Sequence, residues 1–309
     1  MWEEYKQYQL NMIKTGDCDP AYPGLEYVAN RFELNTEQRY WLAFLYSTCY
    51  CMPTVFYIYN EFPDFENVNI DRMEKWWNEN KKKCVFQTDR AKVKNFNKFI
   101  PMFKSYKKLV GNSQQQTFEK VIKNKNNIEA YCSLYNYCLQ VYYVGRFSLF
   151  NWLEAMKYLT NIPISINSLP LKDSKSSRNG LCFVVSRQDL ISSKQQKAKL
   201  TEQDYIFLNQ KLDELITEIN YENPGINITY WNAETALCAF KKMFAPWNSR
   251  YLGYYIDRML EEIMRMQKNV KEGVCWKVLW DFREEYFTPE WLGEKNNWQG
   301  IRKQLMGKY

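Results

Sequence analysis

Glu234, Cys238 and Lys241 recur at i, i+4 and i+7 within Asn232-Ala-Glu-Thr-Ala-Leu-Cys-Ala-Phe-Lys-Lys242. On a helix that spacing puts a carboxylate, a thiol and an ammonium on one face, with Leu237, Phe240 and Phe244 forming an apolar stripe. Such a carboxylate acts as a general base if burial raises its pKa. A glutamate near a helix start is equally what the helix dipole favours, so spacing alone leaves both readings open. A second set lies in the segment from Arg250 to Glu261, where Arg250, Tyr254, Asp257, Arg258 and Glu261 recur at three- and four-residue steps. Guanidinium groups on one face can grip phosphate oxygens bidentately, or merely pair with neighbouring carboxylates. The third set is Ser176-Ser177-Arg178-Asn179-Gly180, inside a polar stretch over 167–180 that reads as a loop. Hydroxyls, an arginine and a glycine in a loop can cradle an anion, although the spacing is neither a Walker A loop nor a dinucleotide fingerprint.

The chain has no histidine in 309 residues. That excludes Ser-His-Asp, Cys-His and HExxH chemistry, and leaves proton transfer to Glu, Asp, Lys, Tyr or the substrate itself. Nine cysteines, an odd number with no CxxC pair, do not read as a disulfide framework or a zinc site. Reduced thiols inside a cell are the expectation. Met1-Trp2-Glu3-Glu4 carries no secretory-leader pattern. The uncharged run Tyr40–Tyr59 is long enough for a membrane span, but Pro53 and its many Tyr, Thr and Cys side chains predict two buried core segments instead. The net charge of +7 permits a polyanionic partner without requiring one. Between residues 81 and 108, Lys82, Lys83, Arg90, Lys92, Lys94 and Lys104 are interleaved with Phe86, Phe96, Phe99, Phe103 and Tyr106. This is either a nucleic-acid footprint or a solvated helix face with its aromatics turned inward.

Positioning these groups calls for helices. Gly and Pro are scarce, at 11 and 10 residues. Asn35 with Gln38 forms a capping-box pattern ahead of Trp41, Leu42, Phe44 and Leu45. Ile70–Asn80 reads as a helix, and Thr201 is placed to cap one running to about Asn220. Further helices are expected over 114–159, 233–244 and 250–269. The organisation expected is an N-terminal extension over 1–30, one continuous helical core over 31–270 with polar loops over 167–200, and docking helices over 271–309.

Several segments together, in order, carry a resemblance: Arg31-Phe-Glu-Leu-Asn-Thr-Glu-Gln-Arg39-Tyr-Trp, Tyr59-Asn-Glu-Phe-Pro-Asp64, Gln87-Thr-Asp89, Gly145-Arg146-Phe-Ser, Ser177-Arg178-Asn179-Gly180, Glu234-Thr-Ala-Leu-Cys238 and Arg250-Tyr-Leu-Gly-Tyr-Tyr-Ile-Asp-Arg258. Over roughly residues 25–265 the chain resembles the phage alpha-glutamyl/putrescinyl thymine pyrophosphorylases, or amino acid:DNA transferases. The resemblance implies a mainly α, helix-hairpin-helix DNA-glycosylase-like fold with extra loops and terminal helices. Val144–Ser148 stands where the hairpin would be, and Ala233-Glu234-Thr235 where glycosylases carry a catalytic carboxylate. It implies an enzyme in the cytoplasm of an infected bacterium. There an amine, from an amino acid or a polyamine, displaces pyrophosphate from pyrophosphorylated 5-hydroxymethyluracil in double-stranded DNA. Glu234, Asp257 and Lys241 would be catalytic. Arg39, Arg146, Ser177, Arg178, Asn179, Arg250, Tyr254 and Arg258 would hold the pyrophosphate or substrate, and the basic stretch would hold DNA. No resident cofactor and no membrane are expected; a divalent metal could assist pyrophosphate departure, although the sequence shows no dedicated ligand set. Excision or recognition of a modified base, and non-catalytic DNA binding, are the alternatives.

Overall fold

The computed structural model describes residues 1–86, 88, 91–192, 199–244, 252–288 and 292. Among them are fourteen α-helices and no strand: α1 Trp2–Lys14, α2 Ala21–Arg31, α3 Thr36–Cys49, α4 Met52–Glu61, α5 Ile70–Asn80, α6 Phe99–Val110, α7 Gln114–Ile122, α8 Asn127–Cys138, α9 Arg146–Thr160, α10 Lys175–Val184, α11 Glu202–Glu222, α12 Tyr230–Phe240, α13 Tyr254–Asn269 and α14 Trp276–Tyr286. The protein is thus mainly α, as the composition implies. No helix among the described residues is long and apolar enough to cross a membrane.

The helices fall into two compact units, one built mainly from Met1–Pro20 and Ile166–Arg258, the other from Ala21–Ser165 and Met259–Glu285. The continuous core expected over 31–270 is therefore shared between two units. The expected N-terminal extension is helical, and its first helix buries Tyr5 and Met12 completely.

In the second unit the core forms around α3 and α9. The Asn35 side chain accepts from the Gln38 N–H, and the Gln38 side chain accepts from the Asn35 N–H, so the expected capping box starts α3. Phe44 stacks on Tyr106 at 3.9 Å, and Trp152 meets both rings edge-on at 5.2 and 5.1 Å. The uncharged run does form two buried helices, with the break at Tyr50 in a left-handed conformation (φ 47°) and Pro53 in the first turn of α4. Of the aromatics between 81 and 108, Phe99, Phe103 and Tyr106 are fully buried, so the inward-turned reading holds for α6.

Burial pushes the Cys49 thiol up to about 12, the Cys182 thiol up to about 11, and the Tyr40 and Tyr59 phenols up to about 12. Groups whose folded pKa is raised contribute stability below their unfolded pKa and lose it as pH climbs towards the folded value. Unfolded thiols and phenols titrate near roughly 8.5 and 10. With no imidazole in the chain, the urea midpoint is expected to stay level between about pH 6 and 8 and then fall between about pH 9 and 11. Urea titrations followed by circular dichroism check this; an undiminished midpoint at about pH 10.5 would contradict it.

Candidate active site

The site lies in the first unit, where α10 packs on α12. Their approach is set by Gly180: a Cβ there would sit 2.2 Å from the Leu237 carbonyl oxygen. Residues 175–180 are helical, not loop, which corrects the expectation for 167–180. The stretch looks polar, but Ser177, Arg178, Asn179, Gly180, Leu181 and Cys182 are all buried, and that buried face recruits it into a helix. From Arg178, whose N–H donates to the Ser174 carbonyl, the backbone N–H groups are used along the helix and not splayed around an anion. Thr229 and Asn232 form a capping box that starts α12 at Tyr230. Glu234 accordingly sits in the second turn, beyond the orphan N–H groups, which weakens the reading of it as a dipole-favoured terminal residue.

The close approach brings three serines of one segment against the face of α12 that carries Glu234, Cys238 and Lys241. Fully buried Ser174 donates towards Glu234 Oε1 at 3.4 Å, and the Cys238 thiol reaches the same oxygen at 3.4 Å. Ser174 and Ser177 share a 2.6 Å hydroxyl–hydroxyl bond. Lys241 Nζ donates to Ser176 Oγ. Of the i, i+4, i+7 set, Glu234 and Cys238 meet on α12, while Lys241 falls in the 3-10 turn that follows and turns its ammonium to Ser176.

The first helix closes the other side of α12. Tyr5 OH reaches the Ala233 carbonyl at 3.5 Å, and its ring meets Phe240 edge-on at 5.1 Å. Burial pushes the Tyr5 phenol well above its usual range, with Cys18, Tyr8, Cys238 and Glu234 adding to the shift. At neutral pH it is therefore a proton donor in the neighbourhood of Glu234. Fully buried Asp17 accepts from the N–H groups of Gly253, Tyr255 and Ile256 at 2.8, 2.8 and 3.0 Å and so caps the start of α13. That cap fixes the turn bearing Tyr254, Asp257 and Arg258. Asp257 is buried, Tyr254 and Arg258 are half-buried, and Glu261 is exposed and pairs with Arg265, so this face of α13 is buried at its start and solvated a turn further on.

The remaining expected residues scatter. Arg178 is buried, and its Nη1 donates to the carbonyls of Leu171 and Lys172, each at 3.0 Å. Asn179 is tied to the backbone of Ser192. Both side chains hold the segments that flank α10. Arg39 and Arg146 belong to the second unit; Arg39 bonds the Leu34 and Leu159 carbonyls and the Asn30 side chain. Lys82, Lys83 and Lys94 are exposed in that unit, Lys92 is half-buried, and Lys104 pairs with Glu74 at 3.5 Å. Arg250 and Arg90 lie outside the described residues. Among the described residues no group of three or more Cys, Asp or Glu side chains is placed to hold a metal ion.

Sequence reasoning missed Ser174, Tyr5 and Asp17. Gly16-Asp17-Cys18-Asp19-Pro20 carries a turn signal, and nothing local indicates a carboxylate that caps a helix more than two hundred residues away.

The chain belongs to the amino acid:DNA transferase family, whose description matches residues 13–249. It is also similar to the serinyltransferase of Salmonella phage ViI, at 30% identity over 273 residues. That alignment covers 84% of this chain and 66% of the phage protein, just under two thirds of its length.

Proposed function

We propose that this protein transfers an amino acid onto a modified thymine in phage DNA. The acceptor is 5-hydroxymethyluracil whose hydroxymethyl oxygen carries pyrophosphate, taken out of the stack so that its exocyclic carbon is reachable. A nucleophilic atom of the amino acid, its nitrogen or a side-chain oxygen, forms a bond to that carbon. The carbon–oxygen bond breaks, and pyrophosphate departs with the electron pair. The proton released by the nucleophile passes to Glu234, with Asp257 as the second candidate base. Lys241 and Arg258, with Arg250, offer positive charge to the departing pyrophosphate. Ser174, itself held by Ser177, orients the Glu234 carboxylate together with Cys238.

The observation that carries this reading is the Glu234 carboxylate, bracketed by Ser174 and Cys238 where Lys241 also reaches α10 through Ser176, in a chain of this family. Pyrophosphate is a good leaving group that needs cations more than a strong acid, which suits a site without histidine. The name of the phage relative makes serine the first amino acid to test.

The test incubates the protein with a duplex carrying pyrophosphorylated 5-hydroxymethyluracil and each amino acid in turn. Release of pyrophosphate and a matching mass gain on the nucleoside are expected. Neither signal with any amino acid would sink the proposal, and abasic sites in their place would favour base excision.

A further inference from the structure

Outside the α10–α12 site, the second unit carries a cluster of a different kind. Lys98 Nζ donates to Tyr142 OH at 2.7 Å and lies 5.1 Å from the centre of the Tyr143 ring. Lys92 Nζ sits over the same ring at 4.8 Å. The two tyrosine rings lie at a shallow 30° to one another, with centres 6.0 Å apart. They remain 45% and 39% exposed, although each has a large apolar face to bury. The Tyr142 N–H donates to Ser105 Oγ, which anchors the pair to α6. Tyr143 holds a left-handed backbone (φ 65°) that costs a non-glycine residue about 1–2 kcal/mol. Strain retained at an exposed aromatic points to a use for that ring.

The charges make the use specific. Two ammonium groups are gathered around one ring, and among the described residues no carboxylate pairs with either. The Tyr142 hydrogen bond raises the Lys98 pKa above the ordinary lysine range. The group that completes this arrangement is an anion beside a flat surface.

We propose that Lys92, Lys98, Tyr142 and Tyr143 form a platform for a DNA strand, with a phosphate held between the two ammonium groups and an adjoining sugar or base laid on the exposed tyrosine rings. Exposed rings give sequence-tolerant stacking, and paired lysines give counterion-releasing phosphate contacts. The platform rests on the reading of DNA as the substrate, but it is a separate surface and is tested by binding alone.

The probe is a fluorescein-labelled, unmodified 20-base-pair duplex with a short single-stranded gap that leaves bases free to stack, with anisotropy measured across a salt series. The double variant Lys92→Gln/Lys98→Gln is expected to lose about tenfold in affinity, and its slope of log K against log salt to flatten by about 0.9, the value for one phosphate. Tyr143→Asn keeps a residue that tolerates the left-handed backbone while removing the ring, and is expected to weaken binding by about tenfold. Melting curves confirm folding of each variant. If the double variant misfolds, Tyr143→Asn alone decides. Affinity and slope equal to the parent's in folded variants overturn the proposal. So does equal competition by polyglutamate, which would mark an acidic polypeptide site. A chain that binds DNA through these residues yet transfers nothing overturns only the proposed function, and a chain that transfers but ignores these substitutions overturns only the platform.

Discussion

Gly180→Ala is expected to destabilise the first unit by about 3 kcal/mol and to abolish the site with it. The added methyl would lie 2.2 Å from the Leu237 carbonyl oxygen and 2.8 Å from its carbon. Those atoms belong to the α12 backbone and cannot swing away as a long side chain would. Alanine's better helix propensity returns only about 1 kcal/mol. The two helices must therefore move apart. Ser174, Ser176 and Ser177 travel with α10, and Glu234 and Lys241 with α12, so every contact between the two sets lengthens. Gly111→Ala is the control. It has open space around its Cβ and a positive φ of 65°, so it loses about 1–2 kcal/mol through backbone strain alone and leaves the site intact. Thermal melts and transfer rates of the two variants check this. A Gly180→Ala protein as stable and active as the parent would show that the close approach of α10 and α12 is dispensable.

Glu234→Gln is expected to lower the transfer rate by about 10²–10⁴ while leaving DNA affinity nearly unchanged. The amide keeps the shape of the carboxylate and can still accept from Ser174 and Cys238, so packing is preserved and only the proton acceptor is lost. Cys238→Ala removes one neutral contact to Glu234 Oε1 and is expected to cost less than about tenfold. Single-turnover kinetics at saturating DNA separate the two. If Glu234→Gln keeps the parent rate while Asp257→Asn loses it, the base is Asp257.

The parts of this protein that could be read in advance are those governed by local chemistry. The box at Asn35/Gln38 and the cap at Thr201 announce α3 and α11, because a cap is a contact between residues three apart. The meeting of Glu234 and Cys238 follows from helical periodicity alone. What could not be read depends on distant partners. Ser174–Gly180 looks like a loop until the Leu237 backbone makes its glycine a packing surface. Arg178 looks like an anion ligand until its Nη1 finds the carbonyls of Leu171 and Lys172. Asp17 looks like a turn residue until the N–H groups of α13 arrive. Lys98 belongs to the expected basic stretch, but Tyr142 and Tyr143, which give it a purpose, come more than forty residues later.

The long reach of those contacts also sets a timetable for synthesis. Tyr5 meets its acceptor 228 residues further on, and Asp17 meets N–H groups 236 to 239 residues away. A ribosome adding about 5–20 residues per second needs roughly 12–50 s to make that much chain. The first helix, with its fully buried Tyr5 and Met12, must wait through that interval with its apolar side uncovered. Much of the Ala21–Ser165 stretch can meanwhile collapse on itself. In the nascent polypeptide Tyr5 and Asp17 thus wait for partners made more than two hundred residues later, and a pause in translation before residue 256 lengthens that wait.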